Sequence, residues 1–159
     1  MIKNSKSLFL SLAISTLIYG GSVMAEAKDI IHMTLKDGVV KMETRPDLAP
    51  KHVAQIKQLI SEGQYDGVVF HRVIDGFMAQ TGDVEFGNST NDKFNMSRAG
   101  TGGSSLPDIP AEFSDANHGR GAVSMARAQN PDSANSQFFI VFNDAVSYTH
   151  LTLPTNREV

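Results

Sequence analysis

Apolar and polar residues alternate from Asp29 to Thr44, with Ile31, Met33 and Leu35 separated by His32 and Thr34. Alternation with a period of two predicts a strand. The Asp37-Gly38 pair, followed by Val39-Val40-Lys41-Met42, predicts that the chain turns there and returns as a hairpin. The period then changes. Val53, Ile56, Leu59 and Ile60 line one side of a 3.6-residue repeat, which predicts a helix. Pro50 stands near its first turn, where a missing N–H costs nothing, and Gly63 ends it. Such a stripe suits a helix that covers one opening of a β core. His52, on this helix, reads as a solvated residue without a role.

Two short apolar runs follow, Val68 to Ile74 and Phe77 to Gly82, joined at Asp75-Gly76. The first is β-branched and aromatic, as strands prefer. A guanidinium, Arg72, sits mid-strand, a costly place unless something uses its donors. Two registers are open. A two-residue loop pairs Ile74 with Phe77 and sets Arg72 opposite Ala79. A three-residue loop pairs Ile74 with Met78, sets Arg72 opposite Gln80 and gathers Arg72, Met78 and Gln80 on one face. In the second register the Gln80 amide can hold the guanidinium still.

From Glu85 to Pro110 the chain is rich in Gly, Ser, Asn and Asp and has no period, which predicts loop. Gly100-Thr101-Gly102-Gly103-Ser104-Ser105 lacks the Gly-Lys-Ser/Thr ending of a phosphate cradle, so it reads as a loop whose glycines let backbone approach a ligand. Ala122 to Ala126 and Gln137 to Phe142 are further strands, joined by a polar segment with the turn signal Asn130-Pro131-Asp132.

The ends carry different information. Lys3 and Lys6 precede an apolar run from Leu8 to Tyr19, and Val23-Met24-Ala25 has the small residues of a cleavage site. This reads as a secretory leader, residues 1–25, too short for a stable membrane span. It implies export, and a periplasmic location in a Gram-negative source. The formal net charge is −3, and cleavage removes two lysines, so the chain has no electrostatic footprint for nucleic acid. There is no cysteine among the 159 residues, which excludes disulfides, Cys-ligated zinc and thiol nucleophiles. The five histidines show no metal-ligand spacing. His71, of opposite strand parity to Arg72, reads as a satisfied structural histidine.

The stretch Phe70-His71-Arg72-Val73-Ile74-Asp75-Gly76-Phe77-Met78-Ala79-Gln80-Thr81-Gly82-Asp83 closely resembles the signature strand pair of the cyclophilins, the family of peptidyl-prolyl cis-trans isomerases. Gly100-Thr101-Gly102-Gly103, Glu112-Phe113, Gly119 to Ala126 and Ser136-Gln137-Phe138-Phe139-Ile140 follow in family order. Several separated motifs in sequence are far more specific than one pattern. The resemblance covers Ile30 to about Ala145 and assigns residues 26–145 to an isomerase domain. It implies an all-β fold with helical caps, a closed eight-stranded antiparallel barrel, behaving as a monomer. It implies an enzyme that speeds rotation about Xaa-Pro bonds, needs no cofactor, and assists folding of exported proteins. Arg72 and Gln80 would be catalytic. Phe77, Met78 and Phe139 would grip the proline ring, with Ala126, Arg127 and Gln137 along the groove and Ala126 and Arg127 contributing partly through backbone. Partners would be proline-containing polypeptides and cyclosporin-like macrocycles. A non-catalytic proline-peptide binder, or chaperone module, could use the same groove. Such a binder could dispense with Arg72.

Residues 146–159 resemble nothing in the family and read as foreign sequence appended to a truncated gene, in the manner of adapter read-through. The family's final strands and second helix are then missing from this chain, His150 is not the family's pocket histidine, and this literal chain is expected to be aggregated or molten, and inactive; a divergent natural C-terminus is the alternative.

Overall fold

The alternating segment forms β1 (Ile30–Leu35) and β2 (Gly38–Glu43), antiparallel, with Leu35 paired to Gly38. The two loop residues are therefore Lys36 and Asp37, one position earlier than the Asp-Gly signal suggests, because Gly38 is already in the ladder. This structure is a computed structural model and describes residues 29–144. The leader (1–25) and the tail (146–159) of the sequence reading lie outside the described residues.

The helix α1 runs from Pro50 to Ser61. Leu59 is buried at 1% exposure and Val53 and Ile56 are half-buried, while Ile60 is exposed at 39%, so the stripe is narrower than its sequence suggests. The C-terminus closes with Gly63 N–H donating to Ile60 O and Gln64 N–H to Leu59 O, the pairing of a Schellman motif. The N-terminus is capped differently. Ala49 offers no side-chain oxygen. Instead Glu112, far along the chain, accepts the Lys51 N–H at 3.0 Å and the His52 N–H at 3.0 Å. The His52 Nδ1 lies 2.6 Å from the same carboxylate. His52 is thus buried and paired, not solvated as expected.

Burial works to raise the Glu112 pKa, but the backbone donors of His52 and Lys51 and the His52 ring outweigh it and hold the carboxyl below its ordinary value of 4.5. A lowered carboxyl contributes stability above its unfolded pKa and loses it as pH falls through the folded one. Glu112→Ala is expected to cost about 1 kcal/mol at pH 7, the usual value of a lost cap. The difference from wild type should close in acid below the folded pKa. Denaturation curves at several pH values check this, and a difference that does not change with pH would refute the cap.

The remaining strands are β3 (Arg72–Ile74), β4 (Met78–Thr81), β5 (Val123–Met125) and β6 (Phe138–Val141), in one antiparallel sheet of order β3-β4-β6-β5. β3 is shorter than the apolar run from Val68, because Val69 bonds elsewhere: its N–H donates to Gly87 O and its carbonyl accepts from Thr81 Oγ1. Among the described residues the strands therefore form a two-stranded and a four-stranded sheet; the closed eight-stranded barrel that the resemblance implies, expected to lack its final strands and second helix here, is not seen. What holds is a mostly β, antiparallel architecture with one helix.

The register of the β3–β4 hairpin is the three-residue one: Arg72 pairs with Gln80, Val73 with Ala79 and Ile74 with Met78. Gly76, at φ 66°, supplies the left-handed turn residue, and Phe77 N–H donates to Ile74 O at 3.1 Å. A one-residue slip would turn Met78 and Gln80 to the other face. In the observed register Met78 joins Ala126, Phe139 and Val141 in one buried cluster, with Phe77 and Ala122 packed against it. The opposite face carries Phe138, whose ring meets Tyr65 edge-on at 5.9 Å.

Candidate active site

Strand pairing sets one row of side chains across the sheet. Arg72 lies beside Gln80, Gln80 beside Phe139, and Phe139 beside Ser124. The next row on that face is Ile74, Met78 and Val141. Arg72, Gln80, Met78 and Phe139 are thus brought together by register alone, and Phe77 and Ala126 join through the apolar cluster. Met78 is 1% exposed and Phe139 6%, so Met78 supports this face from beneath. Ala126 donates its N–H to Gln137 O at 2.9 Å.

The polar partners differ from expectation. Gln80 does not bond Arg72; its Nε2 donates to Gln137 Oε1 at 2.9 Å. Gln137 Nε2 in turn donates to Gly100 O at 3.1 Å and Gly102 O at 2.7 Å. Among the described residues the half-buried Arg72 guanidinium has no hydrogen-bond or ion-pair partner. The Arg127 guanidinium turns to its own loop, donating to Ala128 O at 3.0 Å and Gln129 O at 3.2 Å.

A wide cavity of about 1610 Å³ borders Ala126, Arg127 and Phe139 but lies mostly against the other face, at Thr81, Met125 and Phe138. A smaller one of about 450 Å³ lies at the hairpin end, between Asp75, Gly76, Arg120 and Phe142. Neither includes Arg72.

Residues 30–152 match the family described as cyclophilin type peptidyl-prolyl cis-trans isomerase/CLD. A probable peptidyl-prolyl cis-trans isomerase of Brucella abortus (strain 2308) is 63% identical over 120 residues, 76% of this chain and 61% of its own length. Peptidyl-prolyl cis-trans isomerase B of Bacillus subtilis (strain 168) is 39% identical over 112 residues, 69% of each chain. A crystal structure of a Cryptosporidium parvum cyclophilin type isomerase, in the presence of the dipeptide Ala-Pro, is similar at a TM-score of 0.61 and 27% identity. It covers 74% of this chain and 70% of that one. The chain belongs to the cyclophilin family. It spans 61% of the length of the Brucella relative.

Two residues of this cyclophilin chain escaped the sequence reading. His71 is less fully satisfied than expected: neither buried ring nitrogen makes a hydrogen bond of good geometry among the described residues, and the polar side chain of Gln137 acts on the ring. Burial pushes its pKa down, together with the neighbouring Arg72 charge, and outweighs Asp83 and the Gln137 side chain, which draw it up. The ring also fixes the loop beside it. A Cβ on Gly100, at φ 96°, would lie 2.7 Å from His71 Cδ2, so only glycine fits. Asp83, at 0% exposure, is the other. The sequence signal for it was its place directly after Gly82, at the end of an apolar strand.

Proposed function

We propose that the protein catalyses cis–trans isomerisation of Xaa-Pro peptide bonds through the sheet face that carries Arg72, Gln80, Met78 and Phe139. The observation that carries this reading is the placement of a half-buried guanidinium, unpartnered among the described residues, in register with Gln80 and beside a buried apolar cluster. Rotation about a peptide bond is opposed by about 18–20 kcal/mol, because nitrogen shares its lone pair with the carbonyl. Before proline both isomers are accessible, yet exchange is slow. In the twisted state the lone pair is back on nitrogen and can accept a hydrogen bond. Arg72 donates to that acceptor, which the ground state does not offer, and so lowers the barrier without covalent chemistry. The half-buried Phe77 and the edge of Phe139 hold the proline ring, with Met78 behind them. With its nitrogen committed to Gln137, Gln80 has its amide oxygen to offer Arg72 or the substrate backbone.

The crystal structure of the Cryptosporidium relative in the presence of Ala-Pro supports a proline peptide as the ligand class. Cyclosporin-like macrocycles would compete for the same face. In this reading the two sheets are parts of the closed barrel that the resemblance implies.

The test is NMR exchange spectroscopy on a proline peptide. Catalytic amounts of the protein should bring the cis and trans signals into exchange within the mixing time. Binding of the peptide without faster exchange would favour the non-catalytic binder, and neither effect would overturn the reading.

A further inference from the structure

We infer that Asp83 is a positioning residue of this site: its buried carboxylate fixes the loop at Gly100–Gly102, and that loop in turn fixes Gln137 and Gln80. The inference rests on the function proposed above, but the contacts behind it stand apart from that function.

Asp83 is fully buried and has no cation bonded to it among the described residues. A carboxylate in that position is costly unless its lone pairs are filled. Here four backbone donors fill them. Oδ1 accepts from Glu85 N at 3.0 Å and Phe86 N at 2.9 Å; Oδ2 accepts from Gly100 N at 2.7 Å and Gly102 N at 2.9 Å. The carbonyls of the same two glycines accept from Gln137 Nε2, and Gln137 Oε1 accepts from Gln80. The loop is therefore clamped on both sides, its N–H groups by Asp83 and its C=O groups by Gln137. The chain of contacts ends at Gln80, the residue paired with Arg72.

The clamp needs a carboxylate. An amide at position 83 keeps one acceptor oxygen but points an NH₂ group at two N–H donors. The loop must then shift, and Gln137 loses one or both of its acceptors. Glycine at 102 meets the same constraint from the other side, since a Cβ there would lie 2.7 Å from Asp83 Oδ1.

The experiment uses the full chain with ¹⁵N labelling, and compares Asp83→Asn with Glu112→Ala, which loosens the helix cap without touching this network. In Asp83→Asn the Gly100 and Gly102 amide protons should move upfield and the side-chain NH₂ signals of Gln137 and Gln80 should shift. kcat/KM on a proline peptide should fall about tenfold, mostly in kcat, as misplaced catalytic groups do. Glu112→Ala should leave those four signals in place. The inference is overturned if Asp83→Asn leaves the glutamine signals unmoved, or if Glu112→Ala moves them equally. In the wild type itself, Gly100 and Gly102 should exchange their amide protons as slowly as strand residues. Exchange at open-loop rates refutes the clamp even if the variant does not fold. A wild type without isomerase activity refutes the proposed function, and the glutamine signals still decide the coupling.

Discussion

Arg72→Ala is expected to lower kcat/KM on a proline peptide by about 10²–10³, the usual loss for one preorganised donor. Binding should fall far less, because the apolar cluster of Met78, Phe139, Ala126 and Val141 stays in place. The fold should hardly notice. Arg72 is on an edge strand, and among the described residues no carboxylate or carbonyl is left unpaired by its removal. Its stability change should fall within about 0.5 kcal/mol, as for substitutions away from buried networks. Arg72→Lys should rescue poorly, since an ammonium lacks the planar fork that can address the proline nitrogen and a Gln80 oxygen together. A protease-free exchange assay beside a denaturation curve measures both quantities. Undiminished turnover in Arg72→Ala would sink the mechanism and leave a proline-peptide binder.

The parts of the fold that were legible in sequence are those governed by local period and turn chemistry. The helix at Pro50–Ser61 follows from its apolar spacing and its flanking Pro and Gly, and β4, β5 and β6 from short apolar runs. The β3–β4 register was one of two that the sequence allowed. It is settled outside local sequence: β4–β6 pairing puts Met78 and Gln80 on the face of Phe139 and Val141, and only the three-residue loop sets Arg72 on that same face. Long-range polar contacts were not legible. Nothing in the sequence around His52 announces that Glu112 caps its helix, since the partners are 60 positions apart. The same holds for Gln80, which local reasoning gave to Arg72 across the hairpin and which Gln137 takes instead, 57 positions away. Strand periodicity places a side chain on a face; it does not choose among hydrogen-bond partners there. The closed barrel was implied by the resemblance alone, since alternation predicts strands and says little about how they close.

Phe139→Ala is expected to destabilise the fold by about 3–5 kcal/mol, the range for removing a buried aromatic ring. A domain's whole margin is about 5–15 kcal/mol, so this single change takes a large part of it. The size follows from position. β6 is an interior strand with β4 on one side and β5 on the other, and Phe139 sits in the row between Gln80 and Ser124. At 6% exposure its ring is mostly core, packed with Met78, Ala126 and Val141. The same ring has its remaining edge on the face of Arg72, so core and proposed pocket are one set of atoms. Phe139→Leu, which keeps most of the apolar volume, should cost less than half as much. Its effect on kcat/KM should then exceed its effect on stability, because a branched aliphatic group fills the core but presents no flat edge to a proline ring. Arg72→Ala should show the opposite signature to Phe139→Ala, with turnover lost and stability kept. Chemical denaturation and exchange rates on the three variants separate these effects. A stability loss under about 1 kcal/mol in Phe139→Ala would show that the ring is not part of the core.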